Sequence, residues 1–145
     1  MSTIQRILCP TDLTESSAHA IDAAIDLARA CNASLTLVHV FDAPVYAGPP
    51  FMPPMDYGPA IETSARAALD EVVASTRAKL PGVTGVLRRG RTWEEILATA
   101  KETDAHLIVM GTHGRRGLPH SILGSVAEKV VRLSPVPVVG AHACS

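Results

Sequence analysis

Apolar positions along this chain alternate between short continuous runs and longer stretches with helical spacing. The short runs are Ile4–Cys9, Ser34–Phe41, Val83–Arg89, Ala105–Met110 and Val136–Ala141. Runs of this length, bounded by turn residues, predict strands. Ala105–Met110 is the most continuous and is expected to be buried on both faces of a sheet. In the stretch ending near Ala30, Ile21, Ala24, Ile25 and Ala28 recur at helical spacing, Leu27 widens the stripe, and Asp22, Asp26 and Arg29 face water. Ile61–Leu80 carries Ala65, Ala68, Leu69, Val72 and Leu80 on one side. Two further helices are expected, one from Thr92 and one over Gly124–Leu133.

Punctuation between these stretches agrees with that reading. Pro10 ends the first strand, and Thr11–Ser17 is rich in helix-start residues. Asn32 and Pro81-Gly82 are stop signals. Thr92 and Glu95 form the T-x-x-E pattern of a capping box. Gly85 weakens its strand, and Trp93 reads as a packing anchor. Pro135 and Pro137 cannot donate ladder bonds, which places the last strand at a sheet edge and blunts part of that edge. The exception is Asp42–Ala60, a long connection rich in proline that holds Tyr46, Phe51 and Tyr57. A segment of this length is either a partly ordered lid or contact surface, or a flexible linker.

Strands alternating with helices predict an α/β fold, an open doubly wound parallel sheet with helices on both faces. Right-handed crossovers leave 3-2-1-4-5 as the common five-stranded order. The length of 145 residues fits one domain. A formal net charge of -1 carries no bulk electrostatic footprint for nucleic acid. Cys9, Cys31 and Cys144 are widely spaced, so neither a disulfide framework nor a zinc knuckle is indicated, and Cys9 reads as a buried strand residue. The N-terminus lacks a basic stretch followed by an apolar one, and no apolar run approaches spanning length. A cytoplasmic protein with no membrane association is expected.

The chemistry concentrates after the fourth strand. Gly111, Gly114, Arg115, Arg116, Gly117, Gly124 and Ser125 place glycines, two guanidinium groups and a hydroxyl between a strand and a helix start. That arrangement exposes backbone N–H groups to an anion, and arginine forks suit phosphate oxygens. The spacing is neither G-x-x-x-x-G-K-[ST] nor G-x-G-x-x-G. In the expected order the loop carrying Pro10, Thr11 and Asp12 meets the glycine loop where the winding reverses, which is where open sheets bind ligands. Asp12 there can accept from an adenine amino group or a ribose hydroxyl, or serve as a helix-start carboxylate.

Gly111, Gly114, Gly124 and Ser125 fit G-x2-G-x9-G-[ST]. With Ile7–Asp12, Glu15 and Ser16, this stretch resembles the ATP-binding branch of the universal stress protein family, and the resemblance covers nearly the whole chain. It implies the 3-2-1-4-5 sheet. It implies that backbone groups of Thr11 and Val40, the latter in the His39–Val40 pair, hold adenine. Gly111, Gly114, Gly124, Ser125 and the N–H of Val126 would surround the phosphates, with Arg115 as the side-chain contact. Mg²⁺ would ride with the triphosphate through water. It also implies a homodimer through the strand Val136–Ala141. His113 and His120 read as polar loop residues, and no catalytic triad stands out. The expected function is an ATP-binding stress-response or regulatory module, with slow ATP turnover at most. The alternatives are an ATPase or nucleotidyl-transfer enzyme in the same crevice, and an interaction protein independent of nucleotide.

Overall fold

The computed structural model describes residues 3–112 and 124–141. In chain order they form β1 (Arg6–Pro10), a 3-10 turn (Glu15–Ser17), α1 (Ala18–Cys31), β2 (Ser34–Phe41), β3 (Val45–Tyr46), β4 (Met55–Asp56), α2 (Gly58–Arg77), β5 (Thr84–Arg89), α3 (Thr92–Glu102), β6 (Leu107–Gly111), α4 (Ser125–Leu133) and β7 (Val138–Ala141). Five strands make one parallel sheet in the order β5-β2-β1-β6-β7. Numbered by its own strands, this is the expected 3-2-1-4-5. No described helix is long and apolar enough to cross a membrane.

Side chains alternate across the strands and build a core on each face. Ile7, Cys9, Leu35, Leu37, Leu107 and Val109 pack with α1 and α2. Leu8, Val38, Val40, Ile108 and Met110 pack with α3 and α4. β6 is buried on both faces, as its unbroken apolar pattern requires. Burial pushes the Cys9 thiol up to about 12, so it stays protonated and is no nucleophile. α1 ends at Asn32, which takes the left-handed conformation at φ 54°. Trp93 packs against the second core with Lys129 Nζ 5.5 Å from its ring centroid.

Four local expectations change. The capping box does not form: Arg91 occupies the cap position and Thr92 lies inside α3. Glu95 turns instead to Arg88, whose Nε donates to it at 3.1 Å, because a guanidinium draws a carboxylate more strongly than a backbone amide does. α2 begins at Gly58, ahead of Ile61. Pro59 sits in the first turn, where a missing N–H costs nothing, and Asp56 Oδ1 accepts the Gly58 N–H at 2.9 Å. Its other end stops at Arg77, before Leu80. The third change is the antiparallel ribbon β3–β4 inside the proline-rich connection. The fourth concerns Pro137, which lies just ahead of β7. Its carbonyl accepts Ile108 N–H at 3.0 Å, and Ala141 accepts Thr112 N–H at 3.1 Å. Odd-numbered residues therefore turn their peptide groups toward β6, and the N–H that Pro137 lacks would have pointed into the sheet. Pro137 therefore does not blunt the outer edge of β7.

Gly85 has a packing reason. A Cβ there would lie 2.7 Å from Val73 Cγ2 and 3.5 Å from Leu69 Cγ, so the glycine lets α2 approach β5. Valine would gain up to about 1 kcal/mol in strand preference. It would lose about 1–3 kcal/mol by overpacking against a stiff, buried valine. Gly85→Val is therefore expected to lower the unfolding free energy in a urea titration. An unchanged midpoint would mean that α2 slides away without cost.

Candidate nucleotide site

β1 and β6 lie side by side, and the sheet grows from them in opposite directions. Adjacent loops diverge at such a reversal and leave a crevice beyond the carboxyl ends of the strands. A cleft of about 340 Å³ opens there. It is lined by Pro10 at the end of β1 and Thr11 and Asp12 after it, by Val38, His39 and Val40 of β2, by Met110, Gly111 and Thr112 at the end of β6, and by Gly124, Ser125, Val126 and Ala127 at α4. Thr92 and Ile96 of α3 and Ser16 and Ser17 complete the lining.

A hydrogen-bond network holds the β1–α1 loop in shape. Thr11 N–H donates to Val38 O at 2.8 Å. The Thr11 carbonyl lies 2.8 Å from His39 Nδ1, and since a carbonyl only accepts, the ring proton resides on Nδ1. Thr11 Oγ1 accepts Leu13 N–H at 3.1 Å and donates to Ser17 Oγ at 3.2 Å. That bond holds Leu13 at φ 65°, a conformation that a leucine adopts only under such constraint. Asp12 Oδ1 accepts the Thr14 N–H at 3.0 Å and the hydroxyls of Thr14 and Ser17. Asp12 thus supports the helix start and lines the cleft at once.

At β2 the peptide groups alternate. Val38 O meets Thr11 on the β1 side, while Phe41 O accepts Gly90 N–H at 2.9 Å on the β5 side. By the same period, Val40 turns its N–H and carbonyl toward β1, whose pairing with β2 stops at Pro10↔Val38. Those two groups open on the cleft. Opposite them, Gly124 adopts an extended cap conformation (φ -63°, ψ 158°) and gives its N–H to Thr112 O at 2.7 Å. The first intrahelical bond of α4 is Glu128 N–H to Gly124 O at 2.9 Å. The N–H groups of Ser125, Val126 and Ala127 consequently have no helical carbonyl to answer them, and the helix dipole adds partial positive charge. An adenine edge and a phosphate chain match this pairing of one in-plane donor–acceptor set with one cluster of donors.

The chain matches the universal stress protein family over residues 3–141. The chain belongs to the universal stress protein family. Among relatives, universal stress protein A homolog 1 of Coxiella burnetii is 33% identical over 138 residues, covering 93% of this chain and 94% of that one. A universal stress protein of Thermus aquaticus is 34% identical over 140 residues, covering 92% and 95%. Two solved structures share the fold. One is a universal stress protein in complex with cAMP (TM-score 0.73, 24% identity, 99% and 100% covered). The other is the Archaeoglobus fulgidus protein in complex with dAMP (TM-score 0.67, 20% identity, 97% and 99% covered).

In this universal stress protein the cleft gathers Pro10, Thr11, Asp12, Val40, Gly111, Gly124, Ser125 and Val126, from four separate places in the chain. Gly114 and Arg115 lie outside the described residues, as do His113, Arg116, Gly117 and His120. Every polar group of Thr11 already has a partner within the chain, which leaves its carbonyl and its hydroxyl one lone pair each for a ligand. Sequence reasoning missed Ser17 and His39 as the residues that shape the loop. The helix-start cluster and the His39–Val40 pair were the available signals. Thr92, Ile96 and Met110 carried none, because only the packing of α3 brings the first two to the cleft.

Proposed function

We propose that this universal stress protein binds ATP in the cleft between β1 and β6 and acts as a nucleotide-responsive regulatory module of the stress response. The observation that supports this most is the meeting, in one cleft, of the free peptide edge of Val40 with the first-turn N–H groups of α4. The adenine nucleotides named for two fold relatives point the same way. Adenine would pair its amino group and ring nitrogen with Val40, and the phosphates would lie against Gly124, Ser125 and Val126. Gly114 and Arg115 extend the phosphate end in the reading from the sequence. Asp12 would receive a ribose hydroxyl or the adenine amino group.

Among the described residues no group of three or more His, Cys, Asp or Glu side chains gathers to hold a metal. Mg²⁺ would therefore be held by phosphate oxygens and water, with Ser125 Oγ within the same neighbourhood. Its contribution would be to neutralise phosphate charge. Asp12 Oδ1 is engaged by Thr14 and Ser17, which fits a binding role better than that of a base activating water. Turnover, on this reading, is slow. The protein would act in the cytoplasm as a homodimer through β7.

Calorimetry with Mg·ATP and Mg·GTP tests the reading. The Val40 carbonyl can accept from the adenine amino group but faces the guanine carbonyl oxygen as a second acceptor. An unpaired buried acceptor costs about 1–3 kcal/mol, so ATP is expected to bind roughly tenfold tighter or more. Equal affinities, or no heat with ATP, would overturn it.

A further inference from the structure

We infer that the proline-rich arm between β2 and α2 is a docking surface for a polypeptide segment that combines an apolar face with basic flanks. The arm does not serve the cleft, since none of residues 42–60 lines it. It carries instead a concentration of exposed apolar groups. Phe51 is 86% exposed and Tyr46 59%, and Val45, Met52, Met55 and Tyr57 are also exposed. Large apolar side chains gathered on one surface mark an interaction site, whereas scattered ones do not.

This surface is held in place before any partner arrives. The β3–β4 pairing closes its base. Tyr46 and Tyr57 meet edge to face with ring centroids 6.1 Å apart. Arg89, at the end of β5, forks onto Asp56 at 2.8 and 3.3 Å and also donates to the Ala43 carbonyl. Buried Ala43 roots the strand side against Phe41 and Ala65. Prolines at 44, 49, 50, 53 and 54 restrict the backbone further. A surface ordered in advance loses less entropy on binding, and the two methionines can adapt to the partner's shape.

Charge selects among occupants. Between Asp42 and Glu62 there is no lysine or arginine, and the acids there are Asp42, Asp56 and Glu62. With Arg89 docked on Asp56, the arm and the start of α2 as far as Glu62 carry three negative charges against one positive, a net of two negative. A second copy would bring a like-charged rim against this one, and an anionic bilayer surface would repel it. A helix with leucine-like residues on one side and lysine or arginine beside them is complementary in both respects.

The test titrates the full chain with a labelled helical peptide of leucine and lysine, about 18 residues long and amphipathic at helical period. Saturable one-to-one binding is expected, weakened by salt and reduced roughly tenfold or more in the Tyr46→Ser, Phe51→Ser double variant at an unchanged melting temperature. The matching leucine–glutamate peptide should not bind. Phe51→Ser alone, at the most exposed position, is read in the same way should the double variant melt lower. Undiminished binding by these variants, or equal binding of the acidic peptide, overturns the inference. So do the two other occupants. Arm-dependent sedimentation with phosphatidylcholine–phosphatidylserine vesicles would assign the arm to a membrane. Self-association that Phe51→Ser abolishes would assign it to a second copy.

Discussion

Gly124→Val is expected to abolish ATP binding while the protein still unfolds cooperatively. The fold should survive because Gly124 sits at φ -63° and ψ 158°, an extended conformation that valine adopts readily, and its N–H to Thr112 O is a backbone bond that the substitution keeps. Valine is a poorer helix cap than glycine, so a stability loss of about 1 kcal/mol is anticipated. The effect on binding is much larger. A branched side chain at the mouth of α4 would stand where, in the proposed binding mode, the phosphates approach the N–H groups of Ser125 and Val126. Two charge-assisted bonds at about 1.5–3 kcal/mol each correspond to a loss of affinity beyond roughly a hundredfold. Calorimetry measures the loss, and a urea titration followed by circular dichroism measures the fold. A variant that binds ATP as the parent does would place the phosphates elsewhere.

Val138→Pro should convert a dimeric protein into a monomer. β7 is the last strand of the sheet, so one side of its backbone has no neighbouring strand among the described residues. The bonds from Ile108 to Pro137 and from Thr112 to Ala141 turn odd-numbered peptide groups inward, which leaves those of Val138 and Gly140 facing out. Two copies related by a twofold axis can pair these groups antiparallel, the isologous closure common among oligomers. Proline at 138 removes an outward donor and places ring carbons where the partner strand would lie, while the inward ladder stays intact. An aspartate there would be a poorer probe, because Val138 packs partly against the core beside Val130 and Ile108, and a charge would disturb the fold itself. Sedimentation velocity at micromolar concentration should show a dimer for the parent and a monomer for the variant. A monomeric parent refutes the interface, and an undisturbed dimer in the variant moves it to another surface.

What the chain determined by itself was the five-stranded parallel sheet with its four helices, without the β3–β4 ribbon, and hence the reversal at which the cleft opens. Unbroken apolar runs such as Leu107–Met110 can only be satisfied between two layers, and the helical spacing of Ile21, Ala24, Ile25 and Ala28 presents one face to a sheet. With right-handed crossovers, these patterns leave few topologies, and the glycine spacing from Gly111 to Ser125 is the signal on which the proposed anion site rests. Those signals are local, and a local reading recovers them.

Other features depended on groups distant in sequence, and only the tertiary structure decided them. Glu95 had to choose between the α3 cap and Arg88, and it chose the guanidinium that β5 delivers from outside its own helix. Asp56 and Arg89 lie on either side of α2 in sequence, yet their pairing ties the proline-rich arm to the end of β5. Thr11 offers a backbone donor, a carbonyl and a hydroxyl to any ligand until β2 brings Val38 and His39 alongside and engages the first two. The side toward which Pro137 lacks its N–H is set by register against β6, a property of the pair of strands and of neither one alone. In each case polar groups choose partners by distance and direction in space, and periodicity along the chain carries no information about either.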